Sequence, residues 1–165
     1  MKRIILLLAF VGTFAFQGCT TKEETQILLI PEVFEVTASF SATNDFAKLV
    51  TLNPAIYSSD MVLVYRLFDV VDTEDLWRSL PQTVYFSQGD LDYNFDFTRN
   101  DINIFLDSNF DLTTLSPTWA QNQVFRVVII PGYLSNRNSK AIDFNNYNAV
   151  VKAFNIKENQ IKRLK

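Results

Sequence analysis
From Pro31 onward the dominant period of the chain is two. Phe34, Val36, Ala38 and Phe40 alternate with Glu35, Thr37, Ser39 and Ser41. Leu91, Tyr93, Phe95 and Phe97 alternate in the same way with Asp92, Asn94, Asp96 and Thr98. Successive side chains of a strand point to opposite faces, so this pattern predicts half-buried strands at Phe34–Ser41 and Leu91–Thr98. Phe46 to Leu52 reads as the return strand of the first, after a turn at Asn44-Asp45. Arg99-Asn100 is a tight link to Asp101–Asp107, which predicts an antiparallel hairpin with Leu91–Thr98. Leu76–Leu80 and Thr83–Phe86 are short strands on either side of Pro81. Proline cannot donate to a ladder, so an edge position is expected there.

Two segments break the alternation. Met61–Val70 (MVLVYRLFDV) and Val124–Ile130 (VFRVVII) are apolar on both faces apart from Arg66 and Arg126, so something must cover their outer side. Val124–Ile130, ended by Pro131-Gly132, is expected to be the last strand. Ser116-Pro117 predicts a short helix through Trp119, with Ser as cap and Pro at the first position. From Asp143 to Phe154, the residues Phe144, Tyr147, Val151 and Phe154 recur at helical spacing. This helix is the expected lid over the apolar strands, and a dimer interface is the alternative. About seven or eight short strands separated by regular turns predict an all-β fold, an Ig-like antiparallel β-sandwich with a short C-terminal helix. The expected layout is a signal peptide over 1–18, a tether over 19–31, the sandwich and helix over 32–156, and a charged tail over 157–165.

Composition narrows the function classes. The 165 residues are 48% hydrophobic and 20% charged, with a net charge of −3 and no histidine. A mildly acidic chain without a basic stripe lacks the clustered Lys/Arg that neutralise phosphates, so no nucleic-acid partner is expected. Without histidine the chain lacks the commonest general base near neutral pH and the commonest metal ligand. After removal of residues 1–18, about 147 residues remain, enough for one domain with a real core.

The N-terminal segment carries the most specific signal. Lys2 and Arg3 precede an apolar run from Ile4 to Phe16. A helix of that length spans only about 20 Å, short of the roughly 30 Å hydrocarbon core, so the run reads as a signal-peptide core and not as a membrane span. Cys19 is the single cysteine and has no disulfide partner within the chain. Gln17-Gly18-Cys19 after such a run resembles the lipobox of bacterial lipoproteins, with Phe16 where that family most often has Leu. The resemblance implies cleavage before Cys19 and acylation of that residue with fatty chains such as palmitate. Each buried CH₂ contributes about 0.8 kcal/mol, so two or three chains make a lasting anchor. Lys22-Glu23-Glu24 looks like the surface-export signal of Bacteroidetes-type lipoproteins, which implies an outer-membrane, cell-surface location. A plain solvated tether, with the domain facing the periplasm, is the alternative.

Candidate chemistry in the domain is sparse. Arg66 and Arg126 sit mid-strand among aliphatics. They could line a pocket for an anionic ligand, but the favoured reading pairs each with a nearby carboxylate while its stem covers apolar surface. Asp90, Asp92, Asp96, Asp101, Asp107 and Asp111 cluster in one third of the chain. Asp92 and Asp96 share a face, the expected wet face of a sheet. Asp107-Ser108-Asn109-Phe110-Asp111 matches the opening of a calcium loop, but Leu112 and Thr118 stand where an EF-hand needs Gly and Glu. A simpler calcium-binding turn or an Asx-type turn remains. Trp77, Trp119, Tyr57 and Tyr133 fall in or beside loops, where they could stack on sugars or plug the ends of a core. No activated nucleophile can be nominated, so neither enzymatic activity nor a cofactor or metal is expected.

The segments VYRL (64–67), LPQTVYF (80–86), LDYNFDFTRNDINIFLD (91–107), FRVVIIPG (125–132) and NYNAVVKAFNI (146–156) resemble a group of small Bacteroidetes lipoproteins, often described as hypothetical or collagen-like. The resemblance covers most of residues 33–156. It departs at the tether, where TTKEETQILLIPE carries no collagen-like triplets, and it brings no activity or functional residues. The function expected is a membrane-anchored, non-enzymatic binding or envelope-structural module, with a protein or glycan ligand. The alternative is a carbohydrate- or calcium-assisted ligand-binding accessory protein.

Overall fold
The computed structural model describes residues 30–134 and 142–164. The signal peptide, Cys19 and Lys22-Glu23-Glu24 therefore lie outside the described residues. Within them nine strands run β1 (Glu32–Ala38), β2 (Ala47–Thr51), β3 (Met61–Val71), β4 (Glu74–Ser79), β5 (Gln82–Phe86), β6 (Gly89–Phe97), β7 (Asp101–Ser108), β8 (Gln123–Ile130) and β9 (Lys162–Leu164). The helices α1 (Pro117–Ala120) and α2 (Tyr147–Phe154) lie between later strands. The strands form a five-stranded sheet ordered β4-β3-β8-β1-β9 and a four-stranded sheet ordered β2-β7-β6-β5.

The two-residue period decides how the sheets meet. Phe34 and Val36 of β1, Val62 and Val64 of β3, and Phe125 and Val127 of β8 pack against Leu91, Tyr93, Ile102 and Ile104 of the other sheet. Each such side chain, fully buried, contributes roughly 1.5–3 kcal/mol. The architecture is the expected antiparallel β-sandwich with a short C-terminal helix. The intervening residues of the five-stranded sheet make a second core on its outer face, where Tyr65, Val128 and Ile130 pack with Tyr147, Val150 and Phe154 of α2. The apolar outer side of β3 and β8 is thus covered by the helix, as their lack of a polar face requires.

Three expectations are corrected. First, β2 is not the return strand of β1. β1 pairs with β8, from Glu32↔Ile129 to Ala38↔Gln123, and β2 pairs with β7. The chain leaves β1 at Ala38 and crosses to the other sheet through a 3-10 turn at Ala42–Asn44. There Asn44 Oδ1 accepts from the Ser41 amide at 2.9 Å, and Asp45 and Phe46 take left-handed φ of 53° and 50°. A local side-chain bond of this kind competes with hairpin pairing, and alternation alone does not register it. Second, β8 is not the last strand. β9 lies in the stretch expected to be a charged tail and runs parallel to β1, with Glu35 opposite Arg163. Third, α2 starts at Tyr147 and not at Asp143, because Asn146 caps it by accepting from the Ala149 amide at 3.2 Å. Its buried face is Tyr147, Val150 and Phe154, with Val151 half-buried.

Other expectations hold with small shifts. β6 and β7 form the hairpin, with Asp92 opposite Asp107 and Phe97 opposite Ile102. α1 begins at Pro117 behind Ser116 and runs one residue past Trp119, although the Ser116 side chain makes no capping bond. β4 and β5 are both edge strands, of different sheets, and Pro81 sits in the link that carries the chain between them.

Candidate functional site
A row of side chains crosses all five strands on the outer face of the larger sheet. The registers place Ser79 opposite Tyr65, Tyr65 opposite Arg126, Arg126 opposite Glu35 and Glu35 opposite Arg163. Arg126 is the hub. Its Nη2 donates to Glu35 Oε1 at 2.6 Å, and its Nη1 donates to Glu158 Oε1 at 2.8 Å and to the Tyr147 hydroxyl at 2.7 Å. Asp75 lies 3.9 Å from Nη2. Arg163 Nε donates to the second Glu35 oxygen at 3.0 Å. The Arg126 guanidinium also lies over the rings of Trp77 (3.9 Å) and Tyr147 (4.8 Å).

Burial alone would lower the Arg126 pKa, but the hydrogen bonds to Glu35 and Tyr147 outweigh it and hold the group above its ordinary value. Burial pushes the Tyr147 hydroxyl up to about 12, against the pull of Arg126. Tyr65, whose hydroxyl donates to the Phe144 carbonyl at 2.6 Å, is raised by burial and then by Tyr147 and Asp143.

Two clefts flank Trp77 and share Asp75. One, of about 190 Å³, lies toward Glu35, Thr37 and Arg163. The other, of about 400 Å³, lies toward Asp143, Asn145, Asn146 and Asn148. The second is lined by amide and carboxylate groups beside an indole, donors and acceptors suited to a neutral polyhydroxyl ligand. The first is lined by charges already matched to one another. Both oxygens of Glu35 accept hydrogen bonds from guanidinium groups, Oε1 from Arg126 and Oε2 from Arg163.

Arg66 behaves differently from Arg126 and corrects the expectation for it. It points into the sandwich, with no carboxylate partner among the ion pairs of the described residues. Its Nε and Nη2 both donate to Gln123 Oε1, at 2.9 and 2.6 Å, and its guanidinium stacks over Tyr93 at 4.2 Å. Burial lowers its pKa, with Tyr93 opposing. The two arginines sit on opposite faces of one sheet and line no common pocket. For Arg126 the pairing with a carboxylate is as expected.

Four aspartates of the Asp90–Asp111 region, Asp92, Asp101, Asp107 and Asp111, have their carboxylates engaged locally. The Thr83 hydroxyl donates to Asp92, the Thr98 hydroxyl to Asp101, and the Ser108 amide to Asp107. Asn109 Oδ1 accepts from the Asp90 amide. Asp111 caps the turn at Leu112–Thr114 through the Thr113 hydroxyl and amide, and those bonds hold its carboxyl below the ordinary range. This is the Asx-type alternative, and among the described residues no three His, Cys, Asp or Glu side chains converge as a metal cluster. Of the four loop aromatics, Trp119 packs edge-on against Phe86 at the end of the core, Trp77 belongs to the Arg126 cluster, and Tyr57 and Tyr133 are exposed.

Glu35, Glu158, Arg163 and Tyr147 were not nominated from the sequence. Glu35 has the alternation of an ordinary wet-face residue. The available signal was Arg126 itself, a cation on a face that had to be covered and therefore needed counter-charges from its neighbours. No protein-family model, curated protein or solved structure matches the chain.

Proposed function
We propose that the chain is a lipoprotein held at the outer membrane through Cys19 and displayed at the cell surface, where its sandwich acts as a non-enzymatic binding or envelope-structural module. One observation carries this reading: a short apolar run, Ile4 to Phe16, followed at once by Gln17-Gly18-Cys19. A sandwich in which Arg126 and Glu35 are held by each other and by Glu158 and Arg163 agrees with a structural or binding role for that face. Replacing Cys19 by Ala is expected to move the protein from the membrane fraction to the soluble fraction; unchanged membrane retention would overturn the anchor. Changing Lys22-Glu23-Glu24 to neutral residues is expected to remove accessibility to added protease on whole cells.

Trp77 and the neighbouring Asn-rich cleft favour a second reading, a glycan-binding accessory protein with or without calcium. A glycan screen of the purified protein, run with calcium and with chelator, tests it. Binding abolished by Trp77→Ala would support this reading, and absence of binding under both conditions would sink it.

A further inference from the structure
The end of the sandwich from which the tether leaves gathers exposed aromatic and aliphatic side chains from four separate segments. Ile30, 70% exposed, immediately precedes β1. Because Glu32 pairs with Ile129 and Met61 with Ile130, the segment after β8 and the loop before β3 emerge at this same end. They bring Tyr133 (57% exposed) and Tyr57 (72% exposed). Gly132 donates to Asp60 Oδ1 at 3.2 Å, and a Cβ on Gly132 would sit 2.3 Å from the Ser59 carbonyl oxygen, so only glycine allows the two segments to approach this closely. The other sheet joins through the Leu52 amide bonded to Asn100 and the Ile56 amide bonded to Arg99. These bonds carry the β6–β7 hairpin, with Phe97 45% exposed, to the same end. A groove of about 270 Å³ opens beside it, lined mostly by apolar side chains, Ile30, Pro31 and Ile161 among them, together with Asn155, Lys157 and Gln160.

We infer that this end is a lipid-facing surface, seated in the interfacial layer of the membrane that holds the anchor. Tyrosine, with an apolar ring and a polar tip, and the aliphatic Ile30 suit the boundary between headgroups and acyl chains. The length of the tether supports this occupant. Eleven positions separate Cys19 from Ile30, so the tether end cannot stand more than about 40 Å from the acylated residue. An end held within that distance meets the interface repeatedly, and burial of its exposed apolar surface favours the seated orientation. The inference rests on the proposed anchor at Cys19.

The test separates the two. The full chain is coupled through its single thiol, Cys19, to a maleimide lipid in vesicles of brominated phosphatidylcholine, which supplies an anchor whether or not cells acylate the residue. Tyr57→Trp places a probe at the tether end. Tyr85→Trp places one at a position 78% exposed, beside the β5–β6 turn at the opposite end. Fluorescence is read as the difference from the unsubstituted protein. The expected result is quenching by brominated chains at position 57 several-fold stronger than at position 85. Equal quenching at both positions, or none at position 57, overturns the lipid-facing surface. A blue shift at position 57 without quenching identifies contact with a second copy and also overturns it. Cell fractionation of the Cys19→Ala chain judges the anchor independently.

Discussion

Arg126 and Arg66 show how differently one residue type can be accommodated on the two faces of a sheet. Removing one partner of a buried ion pair leaves the other charge uncompensated, at a cost of about 3–5 kcal/mol. Arg126→Leu is therefore expected to destabilise the protein by up to about that amount, since Glu35 keeps only the exposed Arg163. Arg126→Leu combined with Glu35→Leu is expected to recover a large part of the loss. Urea unfolding of the single and double variants checks this, and equal stability of the two would show that Glu35 bears no penalty. Arg66→Met is expected to cost less than Arg126→Met, because no buried carboxylate is orphaned and only the Gln123 oxygen loses its donors, worth about 1–3 kcal/mol. At this scale the sequence was half legible. Arg126 in an apolar strand announced a paired cation, whereas the inward direction of Arg66 depends on strand parity. Its aromatic partners Tyr93 and Trp119 come from segments remote in sequence.

At the scale of elements, alternation identified strands well and pairings poorly. The β6–β7 hairpin was readable because its partners are joined by a short link, and the covering helix because two strands lacked a wet face. The partner of β1 was not readable, since Asn44 bonding to Ser41 and the Ser39 carbonyl diverts the chain before it can turn back. β9 was hidden because three exposed residues, two of them cationic, carry too little apolar signal to be distinguished from a solvated tail. The start of α2 depends on one cap. Asn146→Ala is expected to cost about 1 kcal/mol through loss of the bond to the Ala149 amide. Thermal unfolding should register this loss, whereas Asn146→Asp should be nearly neutral. A cost for Asn146→Asp equal to that for Asn146→Ala would mean that the cap is not the cause.

For the molecule as a whole, its buried tyrosines set the response to alkali. Tyr93 and Tyr147 are pushed up to about 12 from an ordinary 10.0, and Tyr65 is raised as well. A raised pKa means that the folded state holds protons the unfolded state has released, so stability falls as pH rises. The contribution is fully present below pH 10 and declines between about 10 and 12; it amounts to about 2–3 kcal/mol for Tyr93, and to less for Tyr147, whose charge is more screened by solvent. Circular dichroism should collapse together with the appearance of buried tyrosinate absorbance. Ionisation of these tyrosines with secondary structure intact would contradict the expectation. The interior position of β1, between β8 and the edge strand β9, has a consequence for the order of events in the life of the chain. Its antiparallel partner is synthesised some 90 residues later, and its parallel partner later than any other described strand. Long loops must be closed before those pairings yield any gain, which slows folding. The first strand cannot complete its sheet while the later strands are still unmade, so a nascent chain stays open until β8 and β9 have been synthesised.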